Sequence, residues 1–205
     1  MPDEFYYSPS PTSESRPVQV TVSYGGEDYI FTTDAGVFSR DGLDTGSELL
    51  LDSLPMLAAG QTGLDLGCGW GPVGVLWAKR CPEAHFTMTD INERAAGLAR
   101  QNAAANNVSN TTVVSGDAFE AVEGSFDAIA LNPPIRTGKE NIYRMFRDSM
   151  AHLKDGGALY IVIRVKQGAD SAKKMLKKEY GSCETINRHA GFHVLMCKKE
   201  VGQSL

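Results

Sequence analysis

Leu64-Asp65-Leu66-Gly67-Cys68-Gly69-Trp70-Gly71 runs from a short apolar, strand-like segment into a glycine-rich turn, and a helical stretch follows from Pro72. A glycine turn between a strand and a helix marks the carboxyl edge of an open α/β sheet, where such sheets bind their ligands. Glycine is needed there because a side chain would block either the tight turn or the approach of a ligand to the backbone. In one register, Gly67-Cys68-Gly69 lacks the third glycine of a dinucleotide fingerprint. In another, Gly69-Trp70-Gly71-Pro72-Val73-Gly74 carries all three, so the glycines alone leave a nicotinamide or flavin dinucleotide open.

Working outward, strand-like runs at 62–66, 85–89, 111–115, 126–131 and 158–165 alternate with helical stretches near 72–80, 93–105, 140–153 and 170–179. That alternation predicts βαβ units and a Rossmann-like, doubly wound, mostly parallel sheet covered on both faces. Residues 183–187 and 192–197, joined at Gly191, read as two strands with a tight return, so an antiparallel strand is expected to end the sheet. Upstream, Val18 to Val22 alternates, Gly25-Gly26 supplies a turn and Tyr29-Ile30-Phe31 returns, a hairpin pattern. A capping hydroxyl at Thr45 or Ser47 is expected to start a short helix that ends near Pro55. The expected organisation is therefore a loose Pro- and Ser-rich segment over 1–17 anchored at Phe5-Tyr6-Tyr7, a hairpin element over 18–45 and a main domain over 46–205.

Asp90 ends the second strand of the alternation, at the roughly 20-residue interval beyond the glycines where an acidic residue meets a ribose diol. A nicotinamide nucleotide and S-adenosylmethionine both carry that diol; a helix-capping role is the plainer reading of Asp90. Asp65 either contacts the ligand directly or only orients the glycine turn. Asp117, after the third strand, is placed to accept from an adenine amino group, with the Ala118 backbone beside it. Nothing resembles the proton relay of a nicotinamide enzyme: His85 starts a strand and His152 falls in a helical stretch.

Asn132-Pro133-Pro134-Ile135 follows the fourth strand, which a doubly wound sheet places next to the glycine turn. An exocyclic amine on a base is a poor nucleophile because its lone pair is delocalised into the ring. The Asn132 amide oxygen and the Pro133 carbonyl can each accept one N–H bond, which fixes the nitrogen and favours its more pyramidal, nucleophilic form. Successive prolines stiffen the carbonyl directions without adding donors that need partners. The chemistry asked of such a loop is alignment with a labile methyl group, and no general base with a shifted pKa is needed.

Composition narrows the alternatives. The 205 residues, 42% hydrophobic and 22% charged, fit one substantial core. A net charge of −5 argues against a nonspecific nucleic-acid coat, which neutralises phosphates with a basic surface. A local patch remains: Arg164, Lys166, Lys173, Lys174, Lys177 and Lys178 face only Asp170, and the four helical lysines share one side of a helix that buries Ala172, Met175 and Leu176. No apolar run approaches a bilayer span and no basic leader precedes one, so a cytoplasmic protein without membrane contact is expected. Cys68, Cys81, Cys183 and Cys197 form no CxxC pair, and Cys183, His189, His193 and Cys197 match no zinc spacing, so no metal is expected.

With these blocks assembled, the chain resembles the class I S-adenosylmethionine-dependent methyltransferases, and within them the small-domain family related to 16S ribosomal RNA guanine-N2 methyltransferases. Tyr6-Tyr7-Ser8, Gly36-Val37-Phe38-Ser39, Leu43 to Ser47, Leu64 to Gly71, Asp90 to Ala95, Phe126-Asp127, Asn132 to Lys139 and Lys166 to Ala169 carry the resemblance. It implies that Gly67, Gly69 and Gly71, with Cys68 and Asp65, shape a methionine pocket. Asp90 and Ile91 would take the ribose, Asp117 and Ala118 the adenine, and Asn132, Pro133 and Pro134 the target amine. Phe38 and the Thr45-Gly46 turn would close over the cofactor. Ile135 departs from the pattern, since amino-group methyltransferases often place an aromatic there to stack on the base. Arg136, Lys139, Arg144, Arg147, Arg164 and Lys166 would flank the acceptor mouth and meet phosphates. The resemblance implies N2-methylguanosine formation in ribosomal RNA or the small ribosomal subunit, with S-adenosylhomocysteine as the other product. Protein-glutamine N5 methylation, DNA adenine N6 methylation and a noncatalytic RNA-binding assembly role are the alternatives.

Overall fold

In the computed structural model, which describes residues 9–11 and 13–202, two sheets form. The first is the hairpin of β1 (Val18–Tyr24) and β2 (Glu27–Thr33), longer at both strands than the alternation predicted. Gly25 and Gly26 both have positive φ (62° and 85°), which matches the turn to the right-handed twist of the strands.

The second sheet has seven strands: β3 (Thr62–Leu66), β4 (His85–Asp90), β5 (Thr111–Ser115), β6 (Phe126–Leu131), β7 (Leu153–Arg164), β8 (Glu184–His189) and β9 (Phe192–Lys198). Their order is β5-β4-β3-β6-β7-β9-β8, all neighbours parallel except that β9 runs antiparallel to both β7 and β8. The expected mostly parallel sheet with an antiparallel terminal strand is what the chain forms. The order reverses direction between β3 and β6, which is the switch point where such sheets open a crevice.

Among the described residues five α-helices cover the sheet: α1 (Thr45–Ser53), α2 (Pro72–Arg80), α3 (Glu93–Ala105), α4 (Lys139–Ala151) and α5 (Ala169–Tyr180). The strand pleat sorts the core into two layers. Ala128, Ala130, Tyr160 and Val162 face α1, α2 and α3; Leu64, Leu66, Ile129, Leu131, Ile161 and Ile163 face α4 and α5. From Gly63 to Leu66 and from Ala128 to Leu131, β3 and β6 are therefore buried on both faces, as a central parallel strand requires, and Asp65 is the one carboxyl among these residues.

Some boundaries differ from expectation. The cap of α1 is Asp44, whose carboxylate accepts from the backbone N–H groups of Gly46 and Ser47; neither Thr45 nor Ser47 caps it. A carboxylate also favours the positive end of the helix dipole, which a hydroxyl cannot match. β7 begins at Leu153, five residues before the expected start at 158, because the strand passes through a register irregularity opposite Phe126–Ala128 that holds Gly156 at φ 79°. α4 accordingly stops at Ala151, with His152 as its C-cap stacked on Phe119.

The expected anchor Phe5-Tyr6-Tyr7 lies outside the described residues. The described part of the segment before β1 has no regular structure but is tied down. Pro9 O accepts from Glu93 N, Ser15 Oγ donates to Asp34, and the Arg94 guanidinium donates to Ser13 and to Ala35 O. The hairpin is docked too: Asn102 of α3 bonds both backbone groups of Thr32 and the carbonyl of Trp70, and Phe31 meets Trp70 edge-on. The hairpin thereby leans on the glycine turn itself. No helix among the described residues is long and apolar enough to cross a membrane.

Candidate active site

A cavity opens at the carboxyl edge of β3, β4 and β6, at the switch point. Asp65, Gly67, Cys68 and Gly69 line it from the β3–α2 turn, Asp90 and Ile91 from the end of β4, Asp117 and Ala118 from beyond β5, and Asn132, Pro133 and Pro134 from the end of β6. Phe38 closes one side, 42% exposed.

The glycine turn is held by its backbone. The N–H groups of Gly67 and Cys68 both donate to Thr89 O (2.8 and 2.9 Å), and Gly71 N donates to Cys68 O (3.0 Å). Gly67 and Gly69 have φ of 74° and 56°, and a Cβ on either would meet nothing within 4 Å, so both border the open space of the cavity. Asp90 accepts from Gly69 N (2.8 Å) and Asn92 N (2.9 Å), which ties the turn to the start of α3. Asn92 caps α3, not Asp90. Asp65 Oδ2 accepts from Gly74 N at 2.8 Å. Burial pushes the Asp65 carboxyl up to about 7; the Gly74 N–H opposes the shift and Asp90 adds to it. Burial likewise raises Asp90, against the two backbone N–H bonds it accepts, and pushes the Cys68 thiol up.

At the acceptor side, Asn132 Nδ2 donates to Ser47 Oγ at 3.0 Å, and Ser47 donates to Asp44 Oδ2 at 2.6 Å. Thr137 donates to Pro134 O at 2.8 Å and closes the turn after the second proline. Asp117 pairs with Arg144 (3.0 Å), which also bonds Asn141. Arg144, expected at a phosphate, is thus engaged with the residue expected at adenine.

Several expected residues do not line the cavity. Thr45 points to solvent as the first residue of α1, and Gly46 is buried against Phe192. Gly71 caps α2 in a left-handed conformation against Ala99. Ile135 turns toward the α4–α5 layer; Arg136 and Lys139, between β6 and the first turn of α4, and Arg164 and Lys166, at and just after the end of β7, are exposed at the same edge of the sheet but do not line the wall. Lys139 lies 5.1 Å over the Tyr143 ring and Arg164 4.5 Å over the Phe192 ring.

Residues that the sequence reading did not place here include Leu43, Asp44, Ser47 and Leu50 around α1, and Asn141 and Met145 of α4. Asn141 and Met145 are four apart, one helical face, but nothing in that spacing separates a cavity-facing pair from a core pair. Among the described residues no cluster of His, Cys, Asp or Glu is arranged to hold a metal ion; Cys197 Sγ lies 3.0 Å from Cys183 Sγ.

The model of the methyltransferase small domain matches residues 28–196. The chain belongs to the methyltransferase small domain family. Among its relatives, the uncharacterized protein YbxB of Bacillus subtilis is 37% identical over 198 residues, 96% of this chain and 98% of that protein. Ribosomal RNA small subunit methyltransferase C of Citrobacter koseri is 35% identical over 189 residues, 88% of this chain and 54% of that enzyme. The solved T. thermophilus 16S rRNA N2 methyltransferase RsmC, in complex with AdoMet and guanosine, superposes with a TM-score of 0.80 over 90% of this chain and 51% of that one, at 24% identity. This methyltransferase chain therefore spans about half the length of the ribosomal RNA enzymes it matches. At that identity the superposition speaks for the fold.

Proposed function

We propose that the protein transfers a methyl group from S-adenosylmethionine to the N2 amine of a guanine in ribosomal RNA. The observation that carries the reading is the placement of Asn132 and Pro133 on the same cavity as Asp90 and the Gly67–Gly69 turn. Family membership supports methyl transfer, and the ribosomal RNA enzymes among the relatives support the acceptor.

The residues present fit the cofactor. Two glycines bordering open space admit a ligand against the backbone, and Asp65, Asp90 and Asp117 give the wall an acidic character suited to a ligand with cationic groups, a diol and an amine. Asp90 would hold the ribose hydroxyls, Asp117 with the Ala118 backbone the adenine, and Asp65 with the glycine turn the methionine end. Bound there, S-adenosylmethionine supplies a methyl group made labile by its sulfonium.

The chain's own residues supply position. Asn132 Oδ1 and the Pro133 carbonyl accept the two N–H bonds of the acceptor amine, and the prolines keep those acceptors from drifting. Pro133 is buried while Asn132 is partly accessible, so the amine enters from the mouth and water is excluded behind it. As the new N–C bond forms, the methyl's bond to sulfur would break to leave S-adenosylhomocysteine, and the nitrogen sheds one proton to solvent at the mouth. A base inside a duplex cannot reach this depth, so the guanine must leave its stack. The acceptor is ribosomal RNA or a small-subunit particle, met in the cytoplasm.

The test is transfer of labelled methyl to a panel of unmodified small ribosomal subunits, naked ribosomal RNA, DNA and release-factor protein, with nucleoside and peptide mass analysis. N2-methylguanosine is the expected product. Label on adenine or on a glutamine side chain, or cofactor binding with no transfer to any acceptor, would overturn the assignment.

A further inference from the structure

We propose that the Arg164 guanidinium, backed by the Phe192 ring it lies over, is the surface on which the acceptor's planar ring stacks, so that the site selects an aromatic nucleobase over an aliphatic amide. The inference rests on the amine-methylation reading above and narrows its substrate class.

The position follows from the sheet. Leu131 of β6 lies beside Ile161 of β7, so Asn132-Pro133-Pro134 leave the sheet alongside Val162–Arg164. Arg164 is in turn the partner of Phe192 at the first position of β9. The pair thus stands at the carboxyl edge, one and two strands over from the acceptor loop. A second route leads to the same place. The Phe192 ring edge packs so closely on Gly46 that a Cβ there would sit 2.9 Å from Cε1, and the next residue, Ser47, holds the Asn132 amide.

The local structure keeps the ring there. Ala190 and Gly191 both adopt positive φ (47° and 79°), a tight return that brings β9 back at once, and Val165 N donates to Gly191 O at 2.9 Å. Phe192 is half-buried against the α1 layer, while Arg164 and Val165 are exposed. A guanidinium 4.5 Å from the ring centroid is backed by the aromatic on one side. Its solvent side offers a planar cation, on which bases stack as they do on aromatic rings.

This surface also answers a gap in the acceptor loop. Ile135, at the position where an aromatic would cover the base, packs toward the opposite layer of the sheet. The guanidinium and the ring that the loop lacks stand one and two strands away. Charge alone does not explain the arrangement: a phosphate contact needs a cation but no aromatic beneath it, whereas a stack needs the plane. An ammonium keeps the charge and loses the plane.

The experiment measures kcat and KM for unmodified small-subunit ribosomal RNA with the wild-type chain and with Phe192→Leu, Phe192→Tyr and Arg164→Lys, together with S-adenosylmethionine affinity by calorimetry. Phe192→Leu and Arg164→Lys are expected to raise KM about 10-fold, the scale of one lost base stack, with cofactor affinity within about twofold. Phe192→Tyr is expected to keep the wild-type KM. Arg164 is exposed, so its lysine variant folds whatever Phe192→Leu does to the packing on Gly46. A wild-type KM in Arg164→Lys assigns Arg164 to simple charge and overturns the stack, as does a wild-type KM in Phe192→Leu. A wild-type chain that transfers nothing to RNA is a failure of the underlying reading, seen before any variant is compared, and the stack falls with it.

Discussion

Ser47 fixes the side-chain amide of Asn132 in one orientation. The Ser47 hydroxyl hydrogen is committed to Asp44 Oδ2 at 2.6 Å, so Oγ has only lone pairs to offer, and it accepts from Asn132 Nδ2 at 3.0 Å. A flipped amide would set oxygen against oxygen with no hydrogen between them. Asn132 Oδ1 is thereby left to the cavity side as an acceptor, which is what an incoming amine requires. Asp44 does two things at once: one carboxylate oxygen caps α1 and the other polarises the hydroxyl that sets the amide.

Removing the hydroxyl should loosen the amide without emptying the pocket. Ser47→Ala is expected to lower kcat about 10-fold, or about 1.4 kcal/mol at the transition state, and Ser47→Thr to restore most of it. Asn132→Ala should lower turnover roughly 100-fold, about 2.7 kcal/mol. Single-turnover kinetics at saturating cofactor checks both. Full activity in Ser47→Ala would show that the amide needs no guide.

Asp90→Ala is expected to act on the cofactor and not on the chemistry. The carboxylate holds Gly69 N and Asn92 N and faces the cavity between them. Its removal frees the glycine turn and deletes the acceptor for a diol. Calorimetry should find affinity for S-adenosylmethionine reduced about 10- to 100-fold, or about 1.4–2.7 kcal/mol, and unchanged affinity would count against the ribose role.

Asp65 is expected to make cofactor binding sensitive to pH. Its carboxyl is pushed up to about 7 by burial, whereas an unfolded aspartate titrates near 3.9, roughly. Between those values the folded chain holds a proton that the unfolded chain has released. The contribution of Asp65 to the stability of the cofactor-free protein is therefore full below about pH 4 and is lost as pH rises toward 7. A sulfonium ligand has the opposite preference, because it favours the ionised carboxylate. Affinity is expected to rise between pH 6 and pH 8, with proton release on binding below 7, and Asp65→Asn should flatten the profile. Titration in two buffers of different ionisation heat counts the protons; none released at pH 6 would sink the idea.

The elements that position the cavity were legible because each carries a local signal. Pro72 at the first turn starts α2 and Asn92 caps α3, and both helices have the expected bounds. β3 and β6 show as short apolar runs ended by Gly67 and Asn132, the form of a strand buried on both faces. The start of β7 was hidden because Asp155-Gly156-Gly157 has the composition of a turn, yet the strand carries it as an irregularity. Contacts between distant segments leave no such mark. Ser47 and Asn132 are 85 positions apart, and Phe192 reaches Gly46 from the far end of the chain, so neither partnership follows from any period or spacing. The acidic and glycine positions of the cavity were readable from their places at strand ends; the roles of α1 and α4 on its wall depended on packing.

Gly71 shows how closely the turn is built, and its effect can be separated into two parts. It has φ 90°, which disfavours any L side chain, and a Cβ there would lie 3.0 Å from Ala99 Cβ and 3.1 Å from Ala99 Cα in α3. Backbone strain alone costs roughly 1–2 kcal/mol, and forcing a methyl into a packed contact adds about 1–3 kcal/mol. Gly124 isolates the first part: its φ is 85° and a Cβ there would meet nothing within 4 Å. Urea unfolding should therefore find Gly71→Ala less stable than wild type by about 2–5 kcal/mol and Gly124→Ala by about 1–2 kcal/mol. Because α3 also carries the Asn102 that docks the hairpin onto Trp70, pushing Ala99 away should loosen the hairpin as well, seen as faster amide exchange at Thr32 in Gly71→Ala but not in Gly124→Ala. Equal destabilisation by the two substitutions would mean that α3 yields at no cost and that the turn is not clamped by its neighbour.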